Sequence, residues 1–192
     1  MTKRLFIAIP LPDNIKTELA NYKKFFTLPN LRWVPEENWH ITVLFLGDVG
    51  EEKILEINKR LENVSKNFQL FNLSLTDVCL GPPGKNPQMV WAVFKRQWEF
   101  EQLAKKIREA LADLLKVVYS HQEQIIHVTL ARFPFWRGGR RQAPEVKEIH
   151  PVRCLSSNRV NFEVKDIWLM ESELKPAGAK YTKLQDFKLS NY

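Results

Sequence analysis

The same four-residue pattern occurs twice in this sequence, each time inside a short apolar run. His40-Ile41-Thr42-Val43 recurs as His127-Val128-Thr129-Leu130, although the chain contains only 4 His. In an extended strand, residues i and i+2 point to the same face. Each motif therefore places an imidazole beside a hydroxyl and sends the intervening apolar residue to the opposite face. We predict that two strands, distant in the chain, line one cleft.

Two imidazoles and two hydroxyls around one cleft suit the transfer of a phosphoryl group to water. Opening a cyclic phosphodiester requires deprotonation of water on one side of phosphorus and protonation of a ribose oxygen on the other. Histidine, with a pKa of about 6.5, can perform either task. A single histidine is more often structural, but the pairing favours catalysis. We interpret His40 and His127 as an acid–base pair assisted by Thr42 and Thr129, and we expect neither metal nor cofactor.

Apolar periodicity elsewhere predicts alternating strands and helices. Helical spacing covers residues 13–26, 51–68 and 97–117. In the second helix, Leu55 is assigned to the buried face with Ile54, Leu61, Val64 and Phe68. Strand patterns cover residues 4–9, 40–46, 71–75, 89–94, 125–131, 160–169 and 181–189. This order predicts an α+β fold with a mainly antiparallel sheet.

Composition restricts the class of partner and the location. An excess of 29 Lys and Arg over 22 Asp and Glu gives a net charge of +7, which favours polyanions without separating RNA from DNA, nucleotides or acidic membranes. No apolar run approaches the roughly 18 residues that span a bilayer. Residues 5–9 are too short for a signal peptide, so we expect a cytoplasmic protein. Cys79 and Cys154 are interpreted as small buried hydrophobes.

Several other residues have both a functional and a structural interpretation. Arg132, five residues beyond His127, either contacts the phosphate or is a surface arginine. A basic segment either contacts an RNA backbone or is a solvated loop: Arg137, Arg140, Arg141 and Lys147. Four aromatic residues either contact a base or phosphate or belong to the core: Phe6, Trp33, Phe133 and Tyr181. His121 and His150 lack a partner Thr and are interpreted as structural or exposed.

These motifs carry a resemblance over nearly the whole chain. The sequence resembles the two-histidine (2H) phosphoesterases, and within them the bacterial and archaeal RNA 2′,3′-cyclic phosphodiesterases, historically called 2′-5′ RNA ligases. The matching segments are residues 4–9, 32–43, 45–47, 127–132, 169–176 and Gly178. Two positions depart from the pattern: Ile126, where relatives often have proline, and Leu44, where they often have a basic residue that steers phosphate.

The resemblance implies a bilobal fold with pseudo-two-fold symmetry, in which antiparallel sheets line a central cleft and helices lie outside. It implies hydrolysis of a 2′,3′-cyclic phosphate to a 2′-phosphomonoester. His40 would protonate the leaving O3′, His127 would deprotonate water, and Thr42, Thr129 and Arg132 would hold the phosphate. The expected partners are RNA ends or nucleotides that carry a cyclic phosphate, with no membrane and no obligate protein partner. We expect residues 1–192 to form one two-lobed domain.

Two other functions remain open at the level of the sequence. An RNA-end-binding protein could retain the cleft and have little turnover. A ligase could use the same acid and base to join a cyclic phosphate end to a 5′-hydroxyl. The abundance of water favours hydrolysis over ligation.

Overall fold

A computed structural model describes residues 1–26, 31–83, 88–115, 125–133, 152–153, 160–175 and 178–191. The described strands are β1 (Thr2–Pro10), β2 (Arg32–Trp33), β3 (His40–Gly50), β4 (Phe71–Gly81), β5 (Met89–Phe94), β6 (His127–Arg132), β7 (Val152–Arg153), β8 (Asn161–Val164), β9 (Asp166–Lys175) and β10 (Gly178–Lys188). The described α-helices are α1 (Asp13–Asn21), α2 (Ile54–Lys66) and α3 (Trp98–Leu111). Short 3₁₀ turns cover Tyr22–Phe25, Glu36–Asn38 and Glu51–Lys53.

The strands form one ten-stranded sheet in the order β10-β9-β1-β3-β6-β5-β4-β7, with β2 paired to β6 and β8 paired to β4. The strand pairs are antiparallel, and the sheet is curled like a half-barrel. Its halves meet where β3 pairs with β6 through Ile41 and Val128. The two His-x-Thr strands are therefore central neighbours, and the predicted α+β architecture is confirmed.

Strand alternation assigns the two faces of the sheet to different tasks. On β1, Leu5, Ile7 and Ile9 belong to the main hydrophobic core, which also contains buried residues from α1, α2 and α3. Phe6 and Ala8 alternate with them and belong to a smaller cluster on the opposite face. In the described part of the chain, the helices pack on the first face, so the second face is available for a cleft.

Each motif strand contains a β-bulge at the third residue after its histidine. On β3, Thr42 pairs with Ala8 and Leu44 pairs with Ile7, so Val43 is the extra residue that is skipped in the pairing with β1. On β6, the ladder with β5 passes over Leu130 in the same way, from Thr129 to Ala131. An extra residue reverses the alternation that follows it. Consequently the fifth residue after each histidine returns to the cleft face.

Three predicted elements have different limits in the structure. Strand β3 continues past Gly47 to Gly50. Leu46 is skipped in the pairing with β1, and the φ of +75° at Gly47 lets the strand continue after this bulge. The first helix ends at Asn21 and continues as a 3₁₀ turn. The third ends at Leu111, and residues 116–117 lie outside the described residues. Within the described part of the chain, no helix has the length and apolar character needed to cross a bilayer.

Two residue assignments were wrong or incomplete. Leu55 is 68% exposed, whereas Ile57 is fully buried, because two positions along a helix correspond to about 200° of rotation. Cys79 has a free thiol and is only partly buried. Several residues interpreted from the sequence lie outside the described ranges: His121, Arg137, Arg140, Arg141, Lys147, His150 and Cys154.

Candidate active site

The two motifs meet in a cleft of about 610 Å³ at the centre of the sheet. His40, Thr42, His127 and Thr129 all line it. Because β3 and β6 run antiparallel through the Ile41–Val128 pair, His40 lies across from Thr129 and Thr42 lies across from His127. Ile41 and Val128 point to the other face and are fully buried. The structure thus brings together the four residues that the repeat predicted.

Each imidazole is oriented by the backbone carbonyl two residues before it. The Nδ1 atom of His40 is 2.7 Å from the carbonyl oxygen of Asn38, and that of His127 is 2.8 Å from the carbonyl oxygen of Ile125. Since a carbonyl oxygen only accepts a hydrogen bond, Nδ1 must carry the proton in both rings. Nε2 is therefore the atom of each ring that can accept or donate a proton in the cleft.

The surroundings of both rings disfavour the charged imidazolium. Burial lowers the pKa of His40 below its ordinary value, the hydrogen bond to Asn38 opposes this change, and the charges of Arg132 and His127 lower the pKa further. Burial likewise lowers the pKa of His127, with the same opposition from Ile125 and a further decrease caused by Arg132. A bound phosphate anion would reverse the electrostatic part of these shifts.

Aromatic rings hold both imidazoles in place. The Phe6 ring lies 4.9 Å from that of His40, and the Tyr181 ring meets His40 edge-on at 5.2 Å. On the other strand, Trp91 stacks on His127 with centroids 3.9 Å apart and an interplanar angle of 22°. Trp91 is predicted from the sequence only as part of an apolar strand. Its role is missed because the pattern does not show which face of that strand meets the cleft.

A backbone contact fixes the position of the Trp91 indole. A Cβ atom added to Gly81 would lie 2.2 Å from Cδ2 of Trp91 and 2.4 Å from Cε3. Glycine is therefore the residue that lets β4 approach the indole this closely. In strand order, Trp91 on β5 lies between Gly81 on β4 and His127 on β6.

Hydroxyl and guanidinium donors occur beside His127. Nη1 of Arg132 lies 3.5 Å from Sδ of Met89, and Oγ1 of Thr129 lies 3.9 Å from the same sulfur. A thioether is a weak acceptor, so both donors can exchange it for a phosphate oxygen. Arg4 also lines the cleft, and no Asp or Glu does so among the described residues. The cleft is thus suited to an anion.

This chain is similar in sequence to known phosphoesterases. Residues 9–91 match the family model described as LigT-like phosphoesterase. An RNA 2′,3′-cyclic phosphodiesterase from Archaeoglobus fulgidus is 35% identical over 188 residues, which cover 96% of this chain and 99% of that protein. The chain belongs to the LigT-like phosphoesterases. The resemblance inferred from the motifs is therefore confirmed.

Two further relatives of this LigT-like phosphoesterase agree with the assignment. An RNA 2′,3′-cyclic phosphodiesterase from Methanocaldococcus jannaschii is 29% identical, over 96% of this chain and 99% of that protein. The crystal structure of the Thermus thermophilus protein TT0787 superposes with a TM-score of 0.82 at 26% identity, covering 98% of this chain and 100% of that one. The TT0787 structure therefore shares the mainly antiparallel fold that the sequence of this chain predicts.

Not every aromatic candidate of this LigT-like phosphoesterase reaches the cleft. Trp33 does not line it; the ring packs 6.4 Å from that of Phe26 and against the main core. This packing favours the core interpretation of Trp33, and a substrate contact by its ring stays a prediction. Phe133 is also absent from the lining. Leu44 packs against the core and does not line the cleft.

Within the described ranges, no group of three or more His, Cys, Asp or Glu side chains is arranged to hold a metal ion.

Proposed function

We propose that this chain hydrolyses the 2′,3′-cyclic phosphate of RNA ends or nucleotides to a 2′-phosphomonoester by metal-independent acid–base catalysis. The convergence of His40 and His127 on one cleft carries this proposal. The names of the A. fulgidus and M. jannaschii relatives support the choice of substrate. Residues 1–192 would form one two-lobed domain, since each half of the sheet contributes one histidine.

In the proposed reaction, Nε2 of His127 accepts a proton from water while the water oxygen forms a bond to phosphorus. The bond between phosphorus and O3′ breaks, and Nε2 of His40 donates a proton to the departing O3′. Charge that gathers on the non-bridging oxygens is stabilised by Thr42, Thr129 and Arg132. After turnover, His127 is charged and His40 is neutral, and exchange with solvent restores both.

The decisive experiment is to incubate the purified protein with adenosine 2′,3′-cyclic phosphate in excess EDTA and to separate the 2′- and 3′-phosphate products. We expect undiminished turnover and only adenosine 2′-phosphate. A 3′-phosphate product would overturn the roles of the histidines, and loss of turnover in EDTA would show that a metal ion is required. Binding without turnover would favour an RNA-end-binding protein.

The lowered pKa values of both histidines determine the expected pH dependence. In the free enzyme, His127 must be neutral and His40 protonated, so kcat/KM rises as pH passes the pKa of His127 and falls as pH passes that of His40. Because both pKa values lie below 6.5, we expect the alkaline decline of kcat/KM to begin below that pH.

The same proposal predicts a different profile for kcat. A bound phosphate favours the charged form of His40, so the alkaline limb of kcat should lie at higher pH than that of kcat/KM.

Arg132→Gln should move both limbs of kcat/KM to higher pH, because it removes a positive charge that lowers both pKa values. Rate profiles measured from pH 4 to 9, a range that extends about two units on each side of the ordinary pKa of histidine, would test this. An alkaline limb of kcat/KM above pH 8 would contradict the assignment of His40.

A further inference from the structure

The base of the proposed reaction must become positively charged in surroundings that are already cationic. When Nε2 of His127 accepts the proton of water, its imidazole becomes an imidazolium. Arg132 on the same strand opposes this charge and lowers the pKa of His127, and His40 across the cleft has to be protonated at the start of the step. A cation in this position therefore needs an electron-rich neighbour.

Carboxylates do not supply that neighbour in the described part of the chain, where neither Asp nor Glu lines the cleft. The titratable side chains of its described lining are Arg4, His40, His127, Arg132 and Tyr181. The carbonyl oxygen of Ile125 accepts the hydrogen bond from Nδ1 of His127, but it is uncharged and meets the edge of the ring. Stabilisation of the charged form therefore depends on what covers the face of this ring.

One face of the His127 ring is covered by the indole of Trp91. The ring centroids lie 3.9 Å apart at an interplanar angle of 22°. A cation that lies within about 6 Å of an aromatic face is attracted by the electrons of the ring, and tryptophan is the strongest partner. Burial strengthens this attraction, and Trp91 is only 7% exposed. The indole is thus placed to stabilise His127 when the imidazole is charged.

The sheet holds this indole in position. The backbone of β4 comes so close at Gly81 that a Cβ atom there would lie 2.2 Å from Cδ2 of Trp91. On the other side, β5 and β6 are paired through Trp91 with Thr129 and through Val93 with His127. The indole therefore lies against the imidazole before substrate binds, and the contact needs no rearrangement during the reaction.

The aromatic surroundings of His40 are different. The Phe6 ring is tilted by 35° at 4.9 Å, and the Tyr181 ring meets His40 edge-on at 5.2 Å. Among the described residues, a stacked ring lies on His127 and not on His40. The two imidazoles change charge in opposite directions during the proposed reaction, because His127 gains a proton and His40 loses one. The stacked indole thus lies on the ring whose positive charge develops in the transition state.

We propose that Trp91 is a positioning residue of the general base, and that its indole face stabilises the imidazolium that forms on His127 in the transition state. This inference rests on the proposed function, because it takes His127 as the base. Trp91 does not line the cleft, so it acts through His127 and not on the substrate. The contact also distinguishes the base from the acid by geometry, a distinction that otherwise depends on the family resemblance.

The test changes the electrons of the indole and keeps its shape. The face of an aromatic ring is negative because of its quadrupole, and fluorine atoms withdraw electrons from it. Tryptophans with increasing numbers of fluorine atoms on Cζ3, Cη2 and Cζ2 are introduced at position 91 by nonsense suppression. These positions avoid Cε3, the atom that lies close to the backbone at Gly81.

We expect two quantities to fall together along this fluorinated series. The kcat for adenosine 2′,3′-cyclic phosphate should decrease with each added fluorine, by about threefold in total, because the charged base loses its stabilising contact. The pKa of His127 in the free enzyme should decrease in parallel, as measured from the NMR signal of its Cε1–H group. A purely structural contact would change neither quantity, because the shape of the indole is kept.

Two controls separate stabilisation of charge from packing. The same fluorinated residues are introduced at position 98, since Trp98 lies on α3 and is 68% exposed. They should change neither kcat nor the pKa of His127. The pKa of His40 serves as the internal reference and should not decrease with fluorination at position 91.

Failure of this inference is distinguishable from failure of the proposed function. If either kcat or the pKa of His127 does not respond to fluorine at position 91, the role of Trp91 is overturned, while hydrolysis by the wild type stands. Equal decreases in the pKa values of both histidines would also overturn it, because they would show a change of the whole cleft. If the wild type does not hydrolyse the cyclic phosphate, the proposed function fails. The pKa of His127 then decides alone: a decrease with fluorination supports the contact with the charged ring, and its absence overturns it.

Discussion

Replacement of His127 by glutamine should lower kcat for adenosine 2′,3′-cyclic phosphate by about 10²–10⁴-fold, the range ordinarily contributed by a general acid or base. Glutamine approximates the size of the imidazole and its polarity, but it does not accept a proton from water at neutral pH. KM should stay near the wild-type value, because the substitution leaves the proposed phosphate contacts of Thr42, Thr129 and Arg132 in place. Steady-state kinetics at the wild-type pH optimum provides the measurement.

A matched surface substitution separates this loss of catalysis from a loss of folded structure. Lys105 lies on α3 and its side chain is 61% exposed, so Lys105→Gln should change kcat by less than about twofold. Circular dichroism of both variants should match that of the wild type. If His127→Gln retains kcat within tenfold of the wild type, His127 is not the general base. A loss of binding rather than of kcat would assign it to substrate recognition.

The second large effect concerns His40 and depends on the leaving group. His40→Gln should lower kcat for the cyclic phosphate by about 10²–10⁴-fold, because ribose O3′ leaves poorly without a proton. A 3′-deoxynucleoside 2′-(p-nitrophenyl phosphate) keeps the bond between phosphorus and O2′ but expels p-nitrophenolate, which is a weak base. For this ester, His40→Gln should lose less than about tenfold, because a weakly basic leaving group gains little from general-acid catalysis.

His127→Gln provides the matching control, since water must still be deprotonated. It should lose activity to a similar extent on the cyclic phosphate and on the p-nitrophenyl ester. Release of p-nitrophenolate is followed by absorbance, and the cyclic substrate by separation of products. Equal losses of His40→Gln on both substrates would show that His40 does not act as the acid. Selective rescue of His127→Gln by the better leaving group would exchange the two roles.

The sequence predicts the centre of the site well, because its geometry depends on a simple rule. Alternation along a strand places His40 with Thr42 and His127 with Thr129 on one face each, and the repeat indicates that the two strands act together. That β3 and β6 are adjacent in the sheet does not follow from the pattern. Sheet neighbours depend on long-range packing, which one sequence without its fold does not reveal.

The margins of the site are less predictable because two β-bulges change the alternation. Strict alternation from His127 would direct Ala131 into the cleft, yet Ala131 is buried in the core and Arg132 lines the cleft. The same reversal brings Phe45 into the cleft in place of Leu44. A bulge is decided by the local fit of two strands rather than by residue type. The sequence therefore leaves Arg132 open between a phosphate contact and a surface role, and it does not indicate Phe45.

Aromatic residues show a related limit. Phe6, Trp33 and Tyr181 are all aromatic candidates in the sequence, but Trp33 packs against the main core and the other two pack beside His40. The centroid distance between Trp91 and His127, 3.9 Å, is shorter than those from Phe6 and Tyr181 to His40. Which face of a strand meets the core and which meets the cleft is decided when helices α1–α3 pack on one side of the sheet.

The most direct test of the central claim is a titration with adenosine 2′-phosphate, followed by the NMR signals of the imidazole Cε1–H groups. The signals of His40 and His127 are assigned with the two glutamine variants. We predict that one equivalent of ligand shifts both signals together and raises both pKa values, because in the proposed complex a single phosphate lies between the rings. A shift of only one histidine, or two shifts that saturate at different ligand concentrations, would contradict a shared phosphate site.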